Sequence, residues 1–247
     1  MTSSVSGHKD VKRLIEDLRG DPPIAPFSVI LYGSAARGDY VEKASDLNLI
    51  LVLEDLSPAR LDAVAPAVRR WMKHGHPAPR LFSPALVRAS ADVFPVEFLD
   101  IRAAHLVLHG PDPFAGLEVR PDHLRLQCER ELKEKLMLLR EGYVAVQGEA
   151  DAVRRLLGSS YPAFATLFRG CLRLLGGDVP ARNAEVVAAF CARAGLETGP
   201  FVEVERLRAG ERAKDDVKDL FARYYAQVGR AAEAVDRFDP ATGGTRR

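Results

Sequence analysis

The sequence has few cysteines, no clear excess of charge of either sign and no long apolar run. Its three cysteines, Cys128, Cys171 and Cys191, are widely spaced and form no Cys-x-x-Cys pair. This argues against a disulfide framework and against a thiolate zinc site, so we expect reduced core thiols in a cytoplasmic protein. No apolar run approaches the about 20 residues that a membrane-spanning helix needs. The first residues also lack the basic and apolar regions of a secretory signal.

The charges nearly cancel, with 35 basic and 34 acidic residues in 247 and a formal net charge of +1. A protein that binds DNA or RNA usually carries a basic excess or a basic stripe. The balance therefore argues against a nucleic-acid partner. Apolar residues make up 47% of the chain, which is enough to build one large core or two small ones.

The first part of the chain alternates between short apolar runs and helical patterns. This alternation predicts an α/β sheet covered by helices over residues 1–115. Ser57-Pro58 and Ser83-Pro84 are typical starts of helices. The expected strands are 27–32, 47–53, a short one near 80–82, and 94–101. The expected helices are 9–19, 58–74, 84–90 and a short one after the last strand, leading into His109.

The second part of the chain shows helical spacing only. From Pro121 onward no strand pattern appears, which predicts an all-α helical bundle over residues 116–238. Residues 239–247 are expected to form a flexible tail. The expected helices of the bundle are a long one from about 124 to 143, followed by 149–158, 162–176, 181–195, 200–208 and 212–237.

The most informative segment lies between the first two predicted strands. The first apolar run stops at Gly33-Ser34, and the second begins directly after Asp46 and Asn48. Gly33 lets the backbone approach a phosphate closely, and Ser34 can cap a short helix whose N–H groups face the anion. Because side chains alternate along a strand, Asp46 and Asn48 point the same way and could hold a cation. A plain turn with solvated polar residues fits the same pattern.

This segment resembles the signature of the nucleotidyltransferase superfamily with the DNA polymerase β-like fold, which is Gly-Ser, a short spacer and Asp-x-Asp. The first half of the chain is similar to small nucleotidyltransferases, including antibiotic-modifying adenylyltransferases. The second half is similar to the helical domain of kanamycin nucleotidyltransferase-like proteins. The resemblance implies a mixed-sheet nucleotidyltransferase domain followed by a helical bundle. The matching residues are Gly33, Ser34, Arg37, Gly38, Ser45 and Asp46.

The resemblance implies an Mg²⁺-dependent enzyme. It would transfer a nucleoside monophosphate from an NTP, with ATP as the first candidate, to a hydroxyl of a small molecule or protein. The helical bundle would close over the acceptor, and a homodimer is left open. By resemblance the nucleotide is bound by Gly33, Ser34 and Arg37, the metal by Asp46, Asn48 and Glu97, and the catalytic residues are Asp46 and Glu97.

Two of these assignments, Glu97 and Arg37, have alternatives. Glu97 competes with Asp100 for the role of the third acid, which activates the acceptor hydroxyl as a general base. Arg37 could instead pair with Asp39 or Glu42.

Asn48 offers one neutral oxygen where the family has a second carboxylate. The site could therefore work with one metal at a reduced rate, or be completed by Glu97 or another acid. The alternative function is a catalytically inactive nucleotide-binding or protein-interaction module on the same scaffold.

Overall fold

The computed structural model describes residues 8–20, 24, 27–37, 47–211 and 216–245. The chain divides into two compact units, Met1–Val119 and Arg120–Arg247. No helix in the described part of the chain combines the length and the apolarity that a membrane span requires.

The N-terminal unit contains a four-stranded mixed sheet with the strand order β3-β2-β1-β4. Strand β1 is antiparallel to both β2 and β4, whereas β2 and β3 are parallel. This confirms the predicted mixture of helices and a sheet. The strands are β1 (Phe27–Tyr32), β2 (Asn48–Leu53), β3 (Arg80–Phe82) and β4 (His105–His109).

The helices of this unit begin largely where their caps predict. Ser57 and Ser83 each accept a backbone hydrogen bond three residues later, and a proline follows each of them. The helix that begins at Pro58 continues through Pro66. The helices are α1 (Lys9–Leu18), α2 (Ser34–Arg37), α3 (Pro58–Lys73), α4 (Pro84–Ala89) and α5 (Pro95–Ala103).

The sheet is covered on both faces, because alternate side chains along each strand point to opposite sides. On one face Leu31 and Leu49 belong to a core with Leu14 of α1 and Trp71 of α3. On the other face the strands and α5 share a second core, whose members include Ile30, Ile50, Val52, Phe98 and Ile101. A residue of β2 therefore faces α1 and α3 or faces α5, according to its position along the strand.

The predicted strand at 94–101 is wrong, because these residues form α5. Pro95 occupies the first turn of the helix, where its missing N–H and fixed φ are favourable, and Glu97 lies in the same turn. The short helix expected after this segment is also wrong, since His105–His109 forms β4. The backbone of β4 pairs with the edge of β1 that β2 leaves free.

Glycine is required where β4 ends. Gly110 has a φ of +75°, and a Cβ atom built on it would lie 2.3 Å from the carbonyl oxygen of Phe27 and 2.7 Å from Oγ of Ser28. Neither the backbone conformation nor the space admits a side chain. Because Gly110 has no side chain, the chain can turn out of the sheet there while its backbone packs against the start of β1.

The second unit is helical in its described residues, apart from a small strand pair near its end. Two helices were predicted at 149–158 and 162–176, but one continuous helix passes through Pro162 instead. Phe238–Asp239, at the start of the expected tail, forms an antiparallel pair with Gly244–Thr245. The helices are α6 (Pro121–Ala145), α7 (Ala150–Leu174), α8 (Asn183–Ala194), α9 (Gly199–Arg208) and α10 (Val217–Arg237).

Aromatic rings fill the centre of the helical unit. Phe168 stacks on Phe190 with ring centroids 4.3 Å apart, and its edge meets Phe201. Phe201 in turn contacts Tyr224 of α10. All three cysteines of the chain are free and buried in this unit, as predicted.

Candidate functional site

The end of β1 and the start of β2 lie side by side. Tyr32 pairs with Asn48 in the antiparallel ladder, so Gly33 follows β1 directly beside Asn48. Gly33 has a φ of +80°, and a Cβ atom built on it would lie 3.3 Å from Nδ2 of Asn48. Only glycine takes this conformation readily. The structure thus brings together two of the residues that the sequence singled out.

Several of the other predicted site residues lie outside what the structure describes. Ser34 and Arg37 are the first and last residues of α2, but their side chains are not among the described atoms. The same holds for the whole of residues 38–46, which includes Asp46. Their assigned roles therefore stay predictions.

Asn48 faces away from the core that contains its two neighbours. Leu47 is fully buried and Leu49 is 2% exposed, and both pack with α1 and α3. Asn48 is half-buried and shares the orientation of Ile50, two residues further along β2. It therefore projects from the face of the sheet that α5 covers.

The helical conformation of α5 changes the relation between the two acids considered for the third position. In a strand, Glu97 and Asp100 would point to opposite faces. In a helix, residues three apart lie on the same side. Both are half-buried, and both make polar interactions. The structure thus groups the two carboxylates on the helix that covers the Asn48 face, whereas the described strands β3 and β4 carry no acidic residue.

Sequence reasoning missed Arg80, the first residue of β3. Its partner in the parallel ladder is Ile50, two residues after Asn48. The guanidinium carbon lies 5.7 Å from the centroid of the Tyr32 ring, a cation–π arrangement. Arg80 is exposed, and no carboxylate of the described residues forms an ion pair with it. The sequence showed a basic residue at the start of a predicted strand. It could not show that Arg80 lies beside β2, because that depends on the order of the strands in the sheet.

These groups form a polar edge, which we define as Tyr32, Gly33, Asn48 and Arg80. A guanidinium donates several hydrogen bonds in one plane and pairs well with phosphate oxygens. A glycine with positive φ leaves room for an anion beside the backbone. The described polar edge therefore has the chemistry of an anion site.

The residues predicted for Mg²⁺ fit one ion better than two. Mg²⁺ usually keeps several waters and takes one or two carboxylates together with the phosphate oxygens of its substrate. Asp46 and the amide oxygen of Asn48 could supply this much to one ion that arrives with a nucleotide. A second ion would need a further carboxylate, and Glu97 lies on a helix instead of the expected strand.

Histidine and carboxylate groups of the kind that bind metal ions come together elsewhere in the same unit. His8, Asp10 and His76 have potential ligand atoms that all lie within 4.8 Å of one another. Two of these three potential ligands are histidine nitrogens, whereas Mg²⁺ prefers oxygen ligands. This group was not predicted, since it unites residues from distant parts of the chain.

No protein-family model matches the chain, and neither the curated proteins nor the solved structures gave a significant match.

Proposed function

We propose that the N-terminal unit binds a nucleoside triphosphate at the polar edge and transfers its nucleoside monophosphate to a hydroxyl group. The acceptor would be a small molecule or a protein, in keeping with the balanced charge of the chain. The observation that carries the proposal is the close approach of Gly33 and Asn48 at neighbouring strand ends. These two residues bracket the segment that contains Ser34, Arg37 and Asp46.

In this proposal the residues at and near the polar edge have separate roles. The backbone at Gly33 approaches the phosphates, and the Arg80 guanidinium donates hydrogen bonds to their oxygens. Asp46 and Asn48 hold the Mg²⁺, which would neutralise the developing charge on the phosphates. Glu97 accepts the proton of the acceptor hydroxyl, a role for which Asp100, on the same side of α5, is the alternative.

A second candidate function is nucleotide binding without transfer. Two observations favour it: Asn48 is neutral where the resemblance has a carboxylate, and Glu97 lies on α5 instead of a strand. The substrate phosphates would still meet Gly33 and Arg80, but the reacting atoms would lack a second anionic ligand for metal. Such a protein would act as a nucleotide sensor or as an interaction module.

Calorimetry with ATP and Mg²⁺ tests binding, and pyrophosphate release over a panel of acceptors tests transfer. We expect Gly33→Ala to weaken ATP binding roughly 10-fold or more, because the added methyl group strains the backbone and crowds Asn48. Gly116→Ala is a matched control, since Gly116 also has a positive φ but a Cβ atom there meets no neighbour within 4 Å. Asn48→Asp should strengthen the Mg²⁺-dependent part of binding.

The outcomes separate the two candidates. ATP binding with release of pyrophosphate supports transfer, and binding without release from any acceptor supports the second candidate. Absence of ATP binding by the wild-type protein contradicts both. If the wild type and Gly33→Ala bound ATP with equal affinity, the polar edge would be ruled out as the binding site.

A further inference from the structure

Three imidazoles surround one carboxylate at the start of α1. Nδ1 of His74 donates to Oδ1 of Asp10 over 2.7 Å, and Nε2 of His76 donates to Oδ2 over 3.0 Å. Nδ1 of His8 lies 3.9 Å from the same Oδ2. We refer to His8, Asp10, His74 and His76 as the Asp10 cluster.

The central groups of the Asp10 cluster are largely shielded from water and held in place. The side chains of Asp10 and His76 are 10% and 14% exposed. The ring of Trp71 stacks on His76 with centroids 4.0 Å apart, and its Nε1 donates to the carbonyl oxygen of Pro77 over 2.8 Å. Packing thus fixes the imidazole of His76 before any ligand binds.

Helix capping accounts for only part of this arrangement. Nδ1 of His8 accepts a hydrogen bond from the backbone N–H of Asp10 over 3.3 Å, which caps α1. His74 and His76 are not needed for that purpose, and they lie in the segment that follows α3. In the described part of the chain, Asp10 has no arginine or lysine partner, so its partners are imidazoles.

Each oxygen of the Asp10 carboxylate meets an imidazole nitrogen, Oδ1 that of His74 and Oδ2 that of His76. A carboxylate beside imidazole nitrogens is a donor set that suits zinc.

We propose that His8, Asp10 and His76 bind one zinc-type divalent ion, and that His74 orients the carboxylate through its hydrogen bond. A tetrahedral ion with bonds of about 2.0–2.1 Å separates its ligand atoms by about 3.3 Å. The separations of 3.0 Å and 3.9 Å around Oδ2 of Asp10 lie on either side of this value. Small movements of the imidazoles would therefore form the site, with Nδ1 of His8 giving up its hydrogen bond from the backbone N–H of Asp10 to bind the ion.

Metal binding changes the protonation of the cluster in a defined way. The proton that Nε2 of His76 now directs at Asp10 must leave that nitrogen, since only the deprotonated nitrogen is a ligand. Three protein ligands leave a fourth position for water. The hydrogen bond from His74 to the other carboxylate oxygen then acts as the orienting contact that metal ligands usually have.

This inference goes beyond the proposed function and does not depend on it. The cluster lies on α1 and at the end of α3, and these helices cover one face of the sheet. Asn48 projects from the opposite face. Zinc binding and ATP binding can therefore be measured and lost separately.

Calorimetric titration of the full chain with Zn²⁺, without an affinity tag and in the presence of excess Mg²⁺, tests the proposal. We expect one ion per chain, and binding at least about 100-fold weaker in His76→Gln and Asp10→Asn. His74→Gln should weaken binding by about 10- to 100-fold, as expected for a residue that orients a ligand. Because all three cysteines are buried, they should not add to the signal of the folded protein.

His123→Gln is the matched control, because His123 lies on α6 outside the cluster and should leave the affinity unchanged. The fluorescence of Trp71, the only tryptophan, gives a second readout because its ring stacks on His76. His8→Gln is the second ligand variant, and because His8 lies outside the stack of Trp71 on His76, the fluorescence of Trp71 shows whether that stack and the fold are kept. Absence of saturable binding to the wild type, or unchanged affinity in His8→Gln and His76→Gln, would overturn the proposal.

Discussion

The two units use polar side chains for different purposes. In the helical unit, Arg169 is 8% exposed and donates to the carbonyl oxygens of Pro180 and Ala181 and to Oδ1 of Asn183. The N-terminal unit has one similar bond, from Arg102 to the carbonyl oxygen of Leu117, and its strand β4 ends through Gly110. Other polar side chains of that unit gather at the polar edge and in the Asp10 cluster, where we propose that they meet a ligand.

The cysteines of the helical unit fit the same contrast. Burial raises the pKa of Cys191 to about 11 and that of Cys171 well above its ordinary value. A thiol that stays protonated at neutral pH is a poor nucleophile and a poor metal ligand. The helical unit thus holds these two buried thiols in a form that does not react.

The largest effect that this comparison predicts is at Gly110. Gly110→Ala would place a methyl group 2.3 Å from the carbonyl oxygen of Phe27. We expect the free energy of unfolding of the N-terminal unit to fall by roughly 4 kcal/mol, with positive φ contributing about 1–2 kcal/mol of it. Denaturant unfolding followed by the fluorescence of Trp71 measures this unit, because the chain has no other tryptophan.

Gly116→Ala provides the control for this prediction. Gly116 has a φ of +70°, but a Cβ atom there has open space around it. The expected loss is therefore about 1 kcal/mol, the cost of the backbone conformation alone. Equal losses for the two variants would show that the close approach at Gly110 does not stabilise the sheet.

The next largest effect is expected at Arg169 in the helical unit. Arg169→Ala leaves the carbonyl oxygens of Pro180 and Ala181 without their buried donor. We expect a loss of roughly 2 kcal/mol, since the buried Arg169 side chain and its hydrogen bonds are removed, while water can reach the carbonyl oxygen of the exposed Ala181. Hydrogen exchange of the helical unit, read by mass spectrometry, would show faster exchange in α7 and α8.

Arg155, an exposed residue on the same helix, is the matched control. Arg155→Ala should change the free energy of unfolding by no more than roughly 0.5 kcal/mol. If Arg169→Ala had an equally small effect, the buried arginine would not hold the helical unit together. The contrast between the two units would then disappear.

The smallest effect concerns the pH dependence of the helical unit. Hydrogen bonds from Lys133 and then from Arg125 outweigh the effect of burial and lower the pKa of Glu129 below its ordinary value of 4.5. A lowered pKa in the folded state means that the ion pair stabilises the unit above pH 4.5. This stabilisation is lost as the pH falls through the lower folded pKa.

When the pH is lowered from neutral to acid, the free energy of unfolding should therefore fall less in Glu129→Gln than in the wild type. The denaturation midpoint at both pH values measures the difference. Glu134→Gln serves as the control, since Glu134 is 57% exposed and 3.8 Å from Arg130, and exposed pairs contribute little. If Glu129→Gln kept the acid sensitivity of the wild type, the interaction with Lys133 would not contribute to stability.

The sequence predicted those elements of the N-terminal unit that local signals determine. Strand β1 and the caps of α3 and α4 follow from apolar runs and Ser-Pro pairs. The segment from Pro95 to His109 could not be assigned by apolar content, because a buried helix and a buried strand are equally apolar. The N-terminal proline and early acid of α5 were the available signals, and β4 is defined by its pairing with β1.

The candidate sites were predictable to different degrees. The close approach of Gly33 and Asn48 follows from two strands that are consecutive in sequence, so local reasoning found it. Arg80 required the order of strands in the sheet, which no local pattern gives. The Asp10 cluster joins residues separated by 66 positions and depends on how α1 packs against α3. Each step from local to distant contacts reduced what the sequence could specify.

The strand order also governs how the protein is made. Strand β1 is flanked by β2, which is synthesised soon after it, and by β4, which follows only after α3, α4 and α5. A growing chain on the ribosome therefore keeps one apolar edge of β1 unpaired during this interval, and such edges promote aggregation. Slowing translation between β2 and β4 should increase the dependence of the nascent protein on chaperones.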